Sequence, residues 1–483
     1  MKINSSFFFA LILFFGNPLS AQEVTVSSDM SLRAKLAYDI IGRVDESILL
    51  YQNELKEQSI IIYNNELVQQ SERQINLFGK RPEIYEVVNL DTAFAVIYGF
   101  HEKKTENIQM DIFSATAELI DSISIASKDK EWSGLNFETI MSQDERVIAF
   151  YDMKGKGEMQ LLIYDLDLDS VLHNNIFLFN GSNLNNDLLN VDLSNNGDFY
   201  MLTEINNNKS QKDQHEAIVF HFFPFSEEIQ QINIPLYGVV CGDLMLSVDN
   251  NNGQIGIVGL YNEKKYSEST GFLWIAAHPM RFDNLDVKYI PFSQDLYFEV
   301  YGNRNEKHLD DFAVAEVIWK NNGSPILTFE MQVDISRRAA GRYITNQSSS
   351  SRNYQGNNTG WSDHYREDVV IISLSNKAEV DWHKVFYKRQ FSQNDEGVFS
   401  SFYSFLTPSR LRLIYNDEIK SNNTVSEYVL DPLGNYKRTS VLSTEYQNLK
   451  LRFQDATQIS STELLVPSQK NYDLSLVKID FSK

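Results

Sequence analysis

The stretch Arg146–Phe179 holds three short apolar runs in succession: RVIAFYDM at Arg146–Met153, MQLLIYDLD at Met159–Asp167 and LHNNIFLF at Leu172–Phe179. Val, Ile, Leu, Phe and Tyr dominate these runs, and polar residues separate them, which is the pattern of strands joined by turns. The same arrangement returns about every fifty residues, and repeats of that length, each holding one small sheet, are typical of β-propeller blades. The sequence therefore predicts an all-β protein built as a propeller.

The repeats are counted on the second strand of each unit. These strands begin near Glu46, Ala93, Arg146, Asp198, Gly253, Asp310, Arg410 and Ser461. Neighbouring starts lie about fifty residues apart, except that the interval from Asp310 to Arg410 is about twice as long. The count predicts an eight-bladed propeller, and seven or nine blades remain the alternatives because the long interval has room for a further unit.

The apolar pattern also predicts where each strand lies in its blade. Third strands such as Ser59–Tyr63 and Gln160–Tyr164 are nearly continuous apolar runs, which fits strands buried on both faces between neighbouring blades. The fourth strand, Glu228–Leu236, alternates apolar and polar residues, as expected of an outer strand with one wet face. The chain ends on a third-strand pattern, Leu474–Phe481, and near its start Glu23–Ser27 is a strand pattern with no partner in its own unit. We therefore expect this N-terminal strand to complete the last blade and close the ring.

A long polar insertion, Ser336–Arg366, interrupts one blade. It is rich in Ser, Asn and Gly, contains no apolar run of strand length, and is interpreted as a loop. It carries five Arg residues against one acid, Asp363, in a strongly acidic protein. Arg, Tyr and Trp anchor interfaces, and Arg binds carboxylates and phosphates with two parallel hydrogen bonds. The candidate contact residues are Arg337, Arg338, Arg342, Tyr343, Trp361, His364 and Tyr365. The alternative is a loop of incidental composition, or one folded onto the acidic rim of its own ring.

The first 21 residues have the parts of a secretory signal peptide. Lys2 supplies the positive start, Phe7–Phe15 the short apolar core, and Leu19–Ala21 the cleavage site. The core is too short to span a bilayer, and no later stretch reaches about eighteen apolar residues. We therefore expect an exported protein without a transmembrane segment, located in the periplasm or attached to the cell surface through a partner. Residues 22–483 are predicted to form a single propeller domain with the insertion at 336–366.

The net charge of the chain and its short sequence motifs argue against several classes of function. The formal net charge of −22 repels polyphosphate, which argues against nucleic acid as a partner. Cys241 is the only cysteine and lies in an apolar run, so the sequence predicts a buried structural thiol and no intramolecular disulfide. His215 and His221 do not have the spacing of an HExxH zinc helix, and no nucleotide loop or serine-nucleophile motif is present. The sequence therefore assigns no catalytic residue, no cofactor and no metal ligand.

One segment carries a family resemblance. From Asp368 onwards, an acid-Val-Val strand is followed by VDWHKV at Val380–Val385 and then by a Gln-x-Ser-x-Asn-Asp-x-Gly turn. The residues that carry the match are Arg389, Gln390, Ser392, Asn394, Asp395 and Gly397. The segment resembles uncharacterised secreted β-propeller proteins of Bacteroidota. The resemblance implies a propeller fold and a location in the cell envelope, and it transfers no catalytic residue because that group has no established activity.

Two functions are compatible with these observations. The first is an exported, non-enzymatic binding or assembly module that recognises an envelope protein or a glycan through loops on the rim of the propeller. The alternative is a carbohydrate-active hydrolase with a carboxylate pair at the mouth of the central channel, since the chain has many acidic residues whose distances in space the sequence does not reveal. The sequence leaves open whether the protein is an enzyme.

Overall fold

The structure is a computed structural model. It describes residues 22–32, 37–54, 57–79, 81–103, 105–129, 135–154, 157–179, 188–263, 267–278, 285, 287–338, 343–345, 360–419, 424–442, 446 and 448–482. The predicted signal peptide, residues 1–21, lies outside the described residues.

The first half of the described chain forms two short N-terminal strands and four sheets of four strands each. The N-terminal strands are β1 (Glu23–Val26) and β2 (Met30–Ser31). Blades 1 to 4 are β3 (Ala37–Val44), β4 (Ser47–Asn53), β5 (Gln58–Tyr63) and β6 (Gln69–Ile75); β7 (Glu83–Asn89), β8 (Ala93–Glu102), β9 (Thr105–Ser114) and β10 (Leu119–Asp129); β11 (Glu138–Met141), β12 (Val147–Lys154), β13 (Glu158–Asp165) and β14 (Ser170–Leu178); and β15 (Leu188–Leu193), β16 (Phe199–Ile205), β17 (Glu216–Phe222) and β18 (Ile229–Pro235).

The second half forms four further sheets and one short helix. Its elements in chain order are β19 (Val240–Asp249), β20 (Gln254–Asn262), β21 (Glu268–Ser269), β22 (Gly271–Ala277), β23 (Lys288–Pro291), α1 (Gln294–Tyr301), β24 (Leu309–Asp310), β25 (Phe312–Trp319), β26 (Pro325–Arg338), β27 (Tyr343–Thr345), β28 (Gly360–Leu374), β29 (Val380–Phe386), β30 (Gln390–Gln393), β31 (Tyr403–Thr407), β32 (Arg410–Glu418), β33 (Thr424–Leu430), β34 (Tyr436–Ser440), β35 (Thr457–Gln458), β36 (Glu463–Lys470) and β37 (Asp473–Asp480).

These strands complete an eight-bladed propeller. Blade 5 has the order β19-β20-β22-β23, blade 6 the order β25-β26-β28-β29, and blade 7 the order β31-β32-β33-β34. Blade 8 combines both chain ends in the order β35-β36-β37-β1, and all named strand pairs are antiparallel. β21 and β24 pair with each other beside blade 5, while β27 and β30 pair with the long strands of blade 6.

Hydrophobic packing shows that the ring is closed. The described residues form eight hydrophobic clusters, and each cluster joins two neighbouring blades, including blade 8 to blade 1. The cluster between blades 8 and 1 packs Leu465 and Leu474 of blade 8 against Ile48 and Leu50 of blade 1. Third strands supply much of this packing, and β5 is buried along its whole length, whereas β18 alternates between buried and exposed residues. Both observations confirm the predicted strand positions.

The first strand of each blade lines the central channel, and polar side chains protect its free edge. The Asn190 side-chain amide donates to the Leu246 carbonyl at 3.0 Å and accepts from the Leu246 amide at 3.1 Å, which joins the inner strands of blades 4 and 5. Between blades 8 and 7, the Gln458 side-chain amide donates to the Leu406 carbonyl at 2.9 Å and accepts from the Leu406 amide at 3.2 Å. These contacts satisfy backbone groups that an unpaired inner strand would leave open.

The N-terminal strand closes the ring as predicted. Glu23 pairs with Asp480 and Val26 pairs with Val477, so β1 becomes the outer strand of blade 8. Val24 and Val26 also pack against the cluster between blades 7 and 8, and the Ser27 hydroxyl accepts from the Leu476 amide at 2.9 Å. The closure therefore combines backbone pairing with apolar burial.

Two details of the predicted strand assignment were wrong. The apolar run at Asp310 is not a second strand, because its main element, β25, is the inner first strand of blade 6. The second strand is β26, which lies inside the long interval, so the interval holds one enlarged blade and no ninth one. The insertion is also not all loop, since Ser336–Arg338 and Gly360–Arg366 belong to β26 and β28 and pair with each other.

We call the face that carries the loops between second and third strands, and the connections between successive blades, the top face. The extended hairpin of blade 6 rises from this face, and α1 lies in the connection between blades 5 and 6. Ser293 caps this helix by accepting from the Leu296 amide at 3.1 Å, and Gly302 ends it in the left-handed conformation with φ 67°. Among the described residues, no helix has the length and apolar character needed to cross a bilayer.

Candidate functional site: a cleft at the channel mouth

A cleft of about 400 Å³ opens on the top face, where the inner strands of blades 6 and 7 meet the segment leading into blade 8. Its walls come from β25, β26, the start of β31 and the turn Phe453–Asp455. The volume falls within the range of sites that bind small molecules. The polar groups that line it are the side chains of Glu316, Glu330, Gln332, Ser401, Ser404 and Gln454. Phe402 and Tyr403 add aromatic surface to the same walls.

A buried ion pair forms one wall of the cleft. Lys388 Nζ lies 2.5 Å from Glu330 Oε1, with 2% and 0% of the two side chains exposed. Gln332 and the Ser401 hydroxyl donate to the other Glu330 oxygen at 3.0 and 2.8 Å. Burial lowers the pKa of Lys388, and the Glu330 carboxylate acts against this effect. Because Glu330 is engaged on both oxygens, it holds blades 6 and 7 together and is poorly placed to take up a ligand proton.

Glu316 is the freer carboxyl group of the cleft. It stands on the inner strand β25, and the Ser404 hydroxyl of β31 donates to its Oε2 at 2.5 Å. Burial raises the pKa of Glu316, and the hydrogen bond from Ser404 acts in the opposite direction. A half-buried carboxyl group with a raised pKa in a cleft can donate a hydrogen bond as well as accept one.

The segment with the family resemblance builds the back of this cleft. The Gln390 side-chain oxygen accepts from Lys388 Nζ and from the Ser401 amide, both at 2.8 Å, and its nitrogen donates to the Asn416 carbonyl at 2.8 Å. Ser392 is buried, and Gly397 takes a left-handed φ of 80° in the turn that returns the chain towards Ser401. The segment therefore positions the cleft wall, while Arg389 has 91% of its side chain exposed.

The extended hairpin of blade 6 carries the candidate contact residues of the insertion. Arg337 pairs with Trp361 and with Tyr343 across the two neighbouring strands, and Arg338 pairs with Gly360. The backbone therefore brings Arg337, Tyr343 and Trp361 to one level of the hairpin. Arg342 lies outside the described residues.

His364 and Tyr365 have structural partners at the base of this hairpin. His364 Nδ1 lies 2.8 Å from Asp334 Oδ1, and Arg366 donates to both Asp334 oxygens at 2.8 and 3.2 Å. Burial raises the pKa of Asp334, but the hydrogen bonds from His364 and Arg366 outweigh it and hold this pKa well below its usual value. Tyr365 packs against Phe391 of β30, with ring centroids 5.0 Å apart. The positive charge of the insertion is thus partly neutralised at its base.

β26 connects the hairpin to the cleft. Glu330 and Gln332 line the cleft, Asp334 anchors His364, and Arg337 lies further along the same strand. The structure therefore places the base of the insertion directly beside the cleft at the channel mouth. Glu316, Glu330 and Tyr403 were missed by sequence reasoning because they come from three different strands of blades 6 and 7, and no local spacing marks them.

The channel mouth next to the cleft is acidic. Asp39 lies near the start of the inner strand β3 and stays in contact with solvent. Desolvation by the channel wall, followed by the charge of Glu86, raises the pKa of Asp39 to about 6, and Asp455 and Glu145 add smaller contributions of the same sign. A channel wall that carries mutually repelling carboxylates disfavours anionic ligands.

No protein-family model and no curated protein matches this sequence. Solved structures with a similar chain course include a prolyl endopeptidase, with 12% identity, a TM-score of 0.31, and coverage of 85% of this chain and 55% of that one. An uncharacterised protein from Listeria monocytogenes has 10% identity, a TM-score of 0.39 and coverage of 90% of both chains. An oligogalacturonate lyase solved with manganese has 10% identity, a TM-score of 0.36, and coverage of 85% of this chain and 98% of that one. This chain spans little more than half the length of the endopeptidase.

Proposed function

We propose that this protein is an exported, non-enzymatic recognition module that binds a glycan in the cleft at its channel mouth. The observation that carries the proposal is the combination of a carboxyl group, two amides and two hydroxyls with aromatic surface in one pocket of ligand size. Sugars present many hydroxyl groups that both donate and accept hydrogen bonds, and amide and carboxyl side chains match them. The acidic mouth favours a neutral or cationic sugar over an anionic one.

The hairpin of blade 6 supplies a second contact area above the cleft. Its described strands hold Arg337, Arg338 and Trp361 at adjacent positions, and Arg and Trp are frequent at the centres of binding surfaces. We propose that the hairpin contacts the part of an extended glycan, or of an envelope protein that carries it, which lies outside the cleft. We also propose that residues 1–21 are a signal peptide that directs the protein out of the cytoplasm.

Hydrolysis is the second candidate function, and Glu316 is the observation in its favour. A half-buried carboxyl group with a raised pKa is suited to general acid catalysis. Glycoside hydrolysis also needs a second carboxylate as base or nucleophile. Among the described residues that line the cleft, the other carboxyl group is Glu330, which Lys388, Gln332 and Ser401 already engage. This arrangement favours binding over bond cleavage.

Replacement of Glu316 by Gln distinguishes the two functions. We expect the purified exported chain to bind one class in an array of neutral, cationic and anionic oligosaccharides and to release no reducing ends. Glu316→Gln should weaken that binding about tenfold, because it replaces one carboxyl oxygen by an amide nitrogen and so removes one hydrogen bond to the sugar while keeping the shape of the side chain. The measurement is calorimetric titration with the best oligosaccharide, together with a reducing-sugar assay.

Glu118→Gln is the matched control, since Glu118 is an exposed acid in a turn on the opposite face. Unchanged binding by Glu316→Gln would rule out the cleft as the site. If the parent chain instead releases reducing ends, and Glu316→Gln lowers the rate of this release at least about 100-fold, the protein is a hydrolase. If an envelope protein stays bound after its glycans are removed, and this binding is lost when Arg337, Arg338 and Arg342 become Ala, the partner is a protein.

A further inference from the structure

We propose that Glu204, His215 and Cys241 form a binding site for one divalent transition-metal ion, with Zn²⁺ as the best match. Each residue offers one ligand atom, and the three atoms lie within 4.8 Å of one another. Thiolate, imidazole and carboxylate are the three donor types that zinc sites in proteins use. The site lies between blades 4 and 5, away from the glycan cleft, and is independent of the function proposed for that cleft.

The orientation of the His215 ring is that of a metal ligand. Nδ1 lies 2.9 Å from the Val239 carbonyl oxygen, and because a carbonyl only accepts, Nδ1 carries the proton and donates. Metal-binding histidines usually fix their second nitrogen in this way. Nε2 then faces Glu204 Oε1 at 2.8 Å. A neutral ring would point a lone pair at a carboxylate, so this contact requires a cation between the two atoms: a proton or a metal ion.

Cys241 is held rigidly beside this pair. Its burial was predicted and is confirmed, with 2% of the residue exposed. The Asn207 side chain accepts from the Cys241 amide at 3.0 Å and donates to the Cys241 carbonyl at 2.8 Å, which fixes the backbone that carries the thiol. His215 is distant from Cys241 in the chain, and the packing of blade 4 against blade 5 brings the two residues together.

Charge balance supports a divalent ion. Thiolate and carboxylate together supply two negative charges, which balance the charge of one divalent ion. A cluster of Zn²⁺, one thiolate, one carboxylate and one neutral imidazole therefore has no net charge.

A second buried histidine pair provides an internal comparison. His221 Nε2 lies 2.8 Å from Asp198 Oδ1, and His221 is as deeply buried as His215. This pair does not belong to any group of three metal-ligating residues among the described part of the chain. Asp198→Asn therefore alters a similar histidine–carboxylate contact without touching the proposed site.

The test is calorimetric titration of the chelator-stripped exported chain with ZnCl₂ at pH 7.5, in two buffers of different ionisation enthalpy. We expect one Zn²⁺ per chain, with protons released on binding because a ligating thiol is deprotonated. Cys241→Ser and His215→Gln should each weaken binding at least about 100-fold, and Asp198→Asn should leave it unchanged. Co²⁺ in place of Zn²⁺ should give a thiolate-to-metal absorption band that Cys241→Ser removes.

The Co²⁺ spectrum of the unmodified chain keeps the test independent of whether a variant folds. Absence of a thiolate-to-cobalt band in that chain would overturn the proposal. The proposal would also be overturned if the Cys241→Ser variant had an unchanged circular dichroism spectrum and bound Zn²⁺ with the original affinity.

Discussion

Removal of Gln22–Asp29 lowers the thermal midpoint of the protein by about 5 °C. The deletion takes away β1 with its four backbone pairs to β37, and it withdraws Val24 and Val26 from the cluster between blades 7 and 8. These losses amount to roughly 5 kcal/mol in the free energy of unfolding. A chain of this length loses about 1 °C of midpoint per kcal/mol. Differential scanning calorimetry measures the shift.

The same deletion exposes a new edge strand. β37 is apolar and buried, and without β1 its outer backbone groups lose their partners. Unprotected apolar edges pair with other chains, so we expect size-exclusion chromatography to show oligomers. A control chain with Glu23→Gln and Asp29→Asn keeps β1 and should unfold as the parent does. A shift of less than about 1 °C in the deleted chain would show that the N-terminal strand does not close the ring in solution.

Replacement of Lys388 by Met lowers the thermal midpoint by about 3–5 °C. The change leaves the fully buried Glu330 carboxylate without its cation, and breaking a buried ion pair on one side costs about 3–5 kcal/mol. We also expect a loss of glycan binding, because Glu330, Gln332 and Ser401 form one wall of the cleft. Thermal unfolding and the same calorimetric titration measure both effects.

Two control variants separate charge from packing. The double change Lys388→Met with Glu330→Gln removes both charges and keeps acceptors for Gln332 and Ser401, so its midpoint should return to within about 1 °C of the parent. Arg389→Met changes the neighbouring, exposed pair with Glu367 and should have an effect below about 1 kcal/mol. If Lys388→Met were as mild as Arg389→Met, the buried ion pair would not stabilise this wall of the cleft.

Much of the fold could be predicted because each blade repeats the same local pattern. The buried third strands and the alternating fourth strand are encoded in short stretches, and Glu23–Ser27 could be assigned to the last blade because its own unit offered no partner. The long interval was harder. β25 is the inner strand of blade 6, yet its apolar composition, which includes Trp319 in contact with Trp274 at 5.6 Å between ring centroids, resembles that of a second strand.

The hairpin and the cleft could not be predicted from local sequence. In a sequence, strands are recognised by the apolar residues that they bury. The outer part of the hairpin extends past the apolar interface between the blades. Its sequence is therefore polar and resembles that of a loop. The cleft depends on contacts between blades, such as Glu316 with Ser404 and Glu330 with Ser401. These pairs are far apart in the chain and share no motif.

Hydrogen–deuterium exchange of residues 22–483, with and without a saturating oligosaccharide from the array, tests the cleft most directly. Bound ligand should slow exchange in β25, the middle of β26, the start of β31 and the turn Phe453–Asp455, because these segments line the cleft. The turns of the opposite face should exchange at unchanged rates. Slowed exchange confined to that opposite face or to the outer strands would contradict the account.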